Sequence, residues 1–164
     1  MDTSFSSTGS DLTDRDDTAG TVRQLNSLLR GEISAAETYR MAIDKISAGD
    51  SAENVGLLRE IQEEHGRAAQ GLRDRIQELG GEASDSSGTW GAWAKTVQGA
   101  MSLFGDTSSL KALKEGEEHG LKDYQEAFDD VDANSGQLIQ NQLIPAQQRH
   151  INLLDQLIHS VGAA

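Results

Sequence analysis

The sequence predicts an all-α protein: a four-helix bundle of two duplicated antiparallel hairpins with a long crossover containing a short extra helix. Three observations predict it. Apolar residues recur at helical spacing through four long segments. Only one proline is present, Pro145, and β-branched residues are scattered, which favours helix over sheet. The chain also matches itself when shifted by 85 positions.

Residues 1–18 are Ser, Thr and Asp with almost nothing to bury, and predict a disordered tail ahead of a bundle over 19–164. A first helix is predicted over about 21–48, with Leu25, Leu28, Leu29, Tyr39, Ile43 and Ile46 on one stripe. Gly49-Asp50-Ser51 breaks it. A second helix over about 52–79 carries Leu58, Ile61, Leu72, Ile76 and Leu79, and Gly80-Gly81 supplies its stop. The crossover then begins as loop and continues as a short amphipathic helix over about 90–104, whose Trp90 and Trp93 are expected to pin it to the bundle or to a second subunit. A third helix is predicted over about 107–131 with Ser108 or Ser109 as cap, and a fourth over about 135–161, the turn between them holding Asp132, Asn134 and Gly136. Pro145 is expected to kink the fourth helix or to expose carbonyls there.

In the 85-residue register, twelve residues between Leu25 and Leu72 match their partners at 110–157 without a gap. Unrelated segments of ordinary composition would give roughly three. The matches include Leu25 with Leu110, Leu28 with Leu113, Gly31 with Gly116, Glu32 with Glu117, Tyr39 with Tyr124, Gln62 with Gln147 and His65 with His150. Shared helical composition aligns leucines and alanines, but not Gly-Glu, Tyr and Gln-x-x-His together.

Helical spacing then places the polar residues. Glu32 lies seven residues from both Leu25 and Tyr39, and His65 seven from both Leu58 and Leu72, so each sits on a buried stripe. The second hairpin repeats this for Glu117 and His150. Glu37, Glu118, His119 and His159 fall off the stripe, and acidic pairs such as Glu63-Glu64 read as solvated faces. Four ionisable groups directed into one core need partners, because burying them alone is costly. One carboxylate from each of two helices and one histidine from each of the others is a metal-site layout for helix bundles. The alternative is a metal-free network of Glu–His hydrogen bonds. Tyr39 and Tyr124 are expected to bond the site carboxylates, and Gln62 and Gln147 to stand behind the ligands as donors or to ligate.

Other chemistry is narrowed by composition. With no cysteine, thiolate metal sites and disulfides are excluded. A net charge of −13 argues against nucleic-acid and anionic-membrane surfaces. No apolar run approaches the roughly 18 residues that span a bilayer, and no secretion signal is evident, so the expected location is cytoplasmic. No phosphate loop, dinucleotide fingerprint or Ser/His/Asp arrangement is found, and enzymatic activity stays open.

Glu32 with Tyr39, Glu117 with Tyr124, and the two histidines resemble the ferritin-like superfamily, whose first and third helices each supply a Glu and whose second and fourth each supply Glu-x-x-His. Leu25-Asn26-Ser27-Leu28, Gly-Glu-x6-Tyr in both hairpins, and Trp93 with Lys95 resemble small bacterial ferritin-like proteins of unknown function. The resemblance implies a metal site at Glu32, His65, Glu117 and His150. Each Glu-x-x-His is here Gln-x-x-His, leaving two carboxylates where a di-iron site uses four. That set suits one divalent ion (Fe, Mn or Zn), at most two, better than a redox pair. The functional expectation is metal handling or limited redox chemistry in stress response. The alternative is a structural or protein-interaction bundle. A homodimer is the expected assembly.

Overall fold

The computed structural model describes residues 8–45, 52–88 and 107–163, and among these every regular element is helical. The helices are α1 (Thr8–Lys45), α2 (Ala52–Glu78), α3 (Ser108–Phe128), α4 (Ala133–Leu138) and α5 (Ile144–Gly162). A π-helical stretch, Ile139–Leu143, joins α4 to α5 and makes them one continuous rod. The result is a four-helix bundle in which α1 packs chiefly on α2, and α3 on α5. The predicted crossover helix at 90–104, with Trp90, Trp93 and Lys95, lies outside the described residues.

Two elements differ from the sequence expectation. α1 begins at Thr8, so the stretch expected to be a disordered tail is helical from that residue onward. Once the Leu25 stripe is anchored the nucleation step is already made, and each further residue adds a hydrogen bond even where it buries nothing. The cap of α3 is Thr107 rather than Ser108 or Ser109, with no side-chain capping bond. In the fourth rod, where Pro145 is expected to kink the helix or expose carbonyls, a π segment stands immediately before the proline. The Ile144 N–H donates to the Ile139 carbonyl five residues back, and this wider turn precedes the residue that has no N–H to give.

The helix ends are tied by local chemistry. Gly80 adopts φ +73. Its N–H donates to Gln77 O and the Gly81 N–H to Ile76 O, the paired bonds of a Schellman stop. A β-carbon on Gly81 would lie 2.7 Å from Val22 Cγ1, so α1 and the end of α2 meet there at glycine. Asp132 caps α4, accepting from the N–H groups of Asn134 and Ser135, while Arg75 of α2 donates to both Asp132 and Ser135. The start of the crossover runs back along α1: Asn26 donates to Glu82 O and accepts from Ser84 N–H, and Ser87 donates to Glu37.

The core consists of two apolar clusters. One holds Leu25, Leu28, Leu72, Tyr124, Ala127 and Leu143; the other holds Leu110, Leu113, Leu157, Tyr39, Ala42 and Leu58. Each of these residues in the first cluster has its 85-residue counterpart in the second. Exchange of one cluster for the other is what a twofold axis across the bundle does. The polar centre lies on that axis.

Candidate metal centre

All four predicted site residues converge. Glu32, His65, Glu117 and His150 are 6 %, 1 %, 3 % and 2 % exposed, delivered by α1, α2, α3 and α5 in turn. The rings of His65 and His150 meet edge to face with centroids 4.8 Å apart. Contacts within each copy obey the repeat: His65 Nδ1 lies 2.8 Å from Glu32 Oε2, and His150 Nδ1 lies 3.3 Å from Glu117 Oε2. So do those between copies. Tyr39 donates to Glu117 Oε1 at 2.5 Å, and Tyr124 donates to Glu32 Oε1. Both tyrosines therefore bond the carboxylate of the opposite hairpin, as expected of them.

The symmetry then breaks, and the break defines the site. His65 Nε2 reaches Glu117 Oε1 at 3.0 Å, whereas His150 Nε2 turns outward to Glu64 Oε2 at 2.8 Å. Gln147 is buried and donates to Glu117 Oε2 at 2.6 Å and to the Glu117 carbonyl at 3.0 Å. Its counterpart Gln62 is half-buried, and no hydrogen bond joins it to Glu32. A β-carbon on Gly120 would lie 2.7 Å from Gln147 Nε2. At the equivalent place in the first hairpin stands Ala35, so the space that admits Gln147 has no equivalent for Gln62.

Glu64 joins the centre although its place beside the acidic Glu63 predicts a solvated face. A signal was available. Residues equivalent across the axis meet where they lie close to it, and Glu64 is the equivalent of Arg149. Opposite charges at equivalent positions, each just before an axial histidine, form a pair: Arg149 Nη2 donates to both Glu64 oxygens, at 3.0 and 3.2 Å.

Electrostatics follow from the geometry. A neutral imidazole has one N–H, yet both His65 nitrogens lie against carboxylate oxygens, which fits the doubly protonated ring. Burial pushes that imidazole down, but the Glu117 and Glu32 charges outweigh burial and hold it well above the usual value. Burial likewise pushes the Glu117 carboxyl up. The His65 charge and the hydrogen bonds from His150 and His65 outweigh it and bring Glu117 to about 2. Burial and the neighbouring carboxylates raise both tyrosines well above their ordinary range, so they remain donors. Glu64, raised by burial but lowered further by His150 and Arg149, is held below its ordinary value.

His65, Glu117 and His150 offer ligand atoms that all lie within 4.8 Å of one another, a group that could hold a metal ion. Glu32 is not in that group: it stands behind His65, on the nitrogen away from Glu117. Glu64 stands in the same way behind His150. Glu37, expected to face away, lies outside the centre on Ser87. His119 pairs with Asp123, and His159 bonds the Asp155 carbonyl. No helix among the described residues is long and apolar enough to cross a membrane.

Residues 20–130 match the model of a family described as a domain of unknown function, DUF2383. No curated protein and no solved structure matches the chain.

Proposed function

The chain belongs to the DUF2383 family of domains of unknown function, so its role is read from its own residues, and we propose that it binds one divalent metal ion at its centre. Glu117, His65 through Nε2 and His150 through Nδ1 would hold the ion. Glu32 and Glu64, on the remaining nitrogens, would fix each ring's orientation, the carboxylate–histidine–metal arrangement that raises ligand basicity. The observation that carries this reading is that all three converging donors are buried and each histidine has its own carboxylate behind it. Gln147 would orient Glu117, and the two tyrosines would anchor the carboxylates.

Two imidazoles with one carboxylate suit Fe, Mn or Zn, and three protein ligands leave a position open. Such an ion would supply Lewis acidity, and redox chemistry if it is Fe or Mn. The arrangement supports metal handling or limited redox chemistry on a ferritin-like scaffold, rather than the four-carboxylate chemistry of a di-iron centre. Metal analysis of protein purified without added metal tests the reading, with Glu117→Ala/His65→Ala as the comparison. Wild type should retain close to one ion per chain and the variant almost none; equal content in both sinks the proposal.

One observation favours a second reading. Glu32, His65, Glu117 and His150 already have their heteroatoms against partners, so the centre is closed as a hydrogen-bond network. A purely structural role predicts that apolar replacement of all four residues leaves folding and cellular role intact. Loss of function in a folded variant of that kind would count against it.

A further inference from the structure

A cavity of about 140 Å³ lies between α1 and α3 and ends on the polar centre. Glu32, Glu117 and His65 form its inner end. Its outer end reaches Asp123, His119 and Glu126 on α3, the last two exposed. The volume is well above the roughly 10–15 Å³ that admits one water. Gly31, Gly116 and Gly120 line it. A β-carbon on Gly31 would meet no atom within 4 Å, so this glycine serves no close helix contact; it leaves space. Gly31 and Gly116 are equivalent in the repeat, although glycine inside a helix costs about 1 kcal/mol against alanine.

Charge distinguishes the two faces of the bundle. The cavity has carboxylates at both ends and, among the described residues, no Lys or Arg in its lining. On the opposite face Arg149 sits on Glu64, placing a positive charge in front of His150. Glu32, Glu117, Asp123 and Glu126 outnumber the cationic His65 along it, and an excess of one sign of charge between low-dielectric walls concentrates counter-ions, raising association rates by roughly ten- to a thousand-fold.

We propose that the α1–α3 cavity is the route by which a divalent cation reaches the centre, Asp123 and Glu126 gathering the ion at the mouth and Gly31 keeping the passage open. This rests on the reading of the centre as a metal site. The test is stopped-flow mixing of the metal-stripped full chain with cobalt(II) chloride, followed by the absorption of the bound ion. Gly31→Leu places a side chain in the open space. It should load at least ten-fold more slowly than wild type, with unchanged final stoichiometry and melting temperature. Asp123→Asn/Glu126→Gln, at the mouth, should load several-fold more slowly and lose most of the salt dependence of the rate. A folded Gly31→Leu variant that loads at the wild-type rate overturns the route. Should that variant not fold, a wild-type rate in the mouth variant does so. A wild-type chain that takes up no cobalt overturns the metal reading itself, and the route with it, so the two failures are told apart.

Discussion

Replacing Glu117 by Gln keeps the size of the side chain and removes the charge on which the centre turns. The two oxygens of Glu117 face His65, Tyr39, Gln147 and His150. An amide offers one oxygen where the carboxylate offers two. Its N–H₂ would face the Gln147 amide or the Tyr39 hydroxyl, each of which now donates. Gln147 can turn over to accept, but only by giving up its bond to the Glu117 carbonyl. The larger loss is the charge. The carboxyl goes from an ordinary 4.5 to about 2 in the fold, and at roughly 1.4 kcal/mol per pH unit that difference amounts to about 3 kcal/mol. The same size is typical of breaking a buried pair, roughly 3–5 kcal/mol. Because the folded value is the lower one, this stability is fully present above 4.5 and is lost as pH falls toward 2. At pH 3 about 1 kcal/mol should remain. Urea unfolding followed by circular dichroism, with EDTA present, measures it: Glu117→Gln should be less stable than wild type by about 3 kcal/mol at pH 7 and by about 1 at pH 3. A gap below about 1 kcal/mol at pH 7, or the same gap at both pH values, would refute the reasoning.

Three further outcomes follow from the same geometry. Gly120→Ala should fold with stability near that of wild type, since about 1 kcal/mol of helix propensity offsets the weakened Gln147 bonds; its metal affinity should drop, and an unchanged dissociation constant by zinc competition titration would contradict the role given to Gln147. Glu64→Gln should weaken zinc about 10–100-fold through His150 with little change in melting temperature, and equal affinities would remove Glu64 from the centre. For His65 the folded value is the raised one, so its ionic contribution is complete below about 6.5 and disappears as pH climbs through that raised value; the stability gap between wild type and His65→Gln should narrow on alkalinisation, and a gap that widens there would reverse the assignment.

The repeat made most of the centre legible. A shift of 85 residues brings Glu, Tyr, Gln and His into register on apolar stripes, and a buried stripe dictates where a side chain points whatever its chemistry. Hence Glu32, His65, Glu117, His150, Tyr39 and Tyr124 arrive as the spacing implies. Periodicity does not carry the differences between the copies. Glu64 lies one residue off the stripe, and only its position across the axis from Arg149 brings it to His150. Gly120 matters for the side chain it fails to carry, which depends on how closely Gln147 approaches. The helical extension back to Thr8 was illegible for a different reason. Composition measures what a segment can bury, whereas a chain end continued from an anchored helix need bury nothing to remain helical.

A perfectly duplicated bundle would present two equal half-sites, Glu32 with His65 and Glu117 with His150. Three substitutions between the copies prevent that. Gly120 in place of Ala35 admits Gln147 to Glu117, and Arg149 in place of Glu64 leaves one carboxylate rather than two on the outer face. Pro145 in place of Glu60 brings a π segment into the rod that delivers His150 and Gln147, with no counterpart in α2. In this asymmetric setting both histidines contact Glu117, while Glu32, among the described residues, bonds His65 Nδ1 and Tyr124. Two equal half-sites would favour a pair of ions, but without bridging carboxylates two dications so close together would repel each other strongly. One acid between two imidazoles, each backed by its own carboxylate, concentrates the available negative charge around a single position. Divergence after duplication has thus converted a symmetric scaffold into an asymmetric centre that, under the proposed function, would take a single cation.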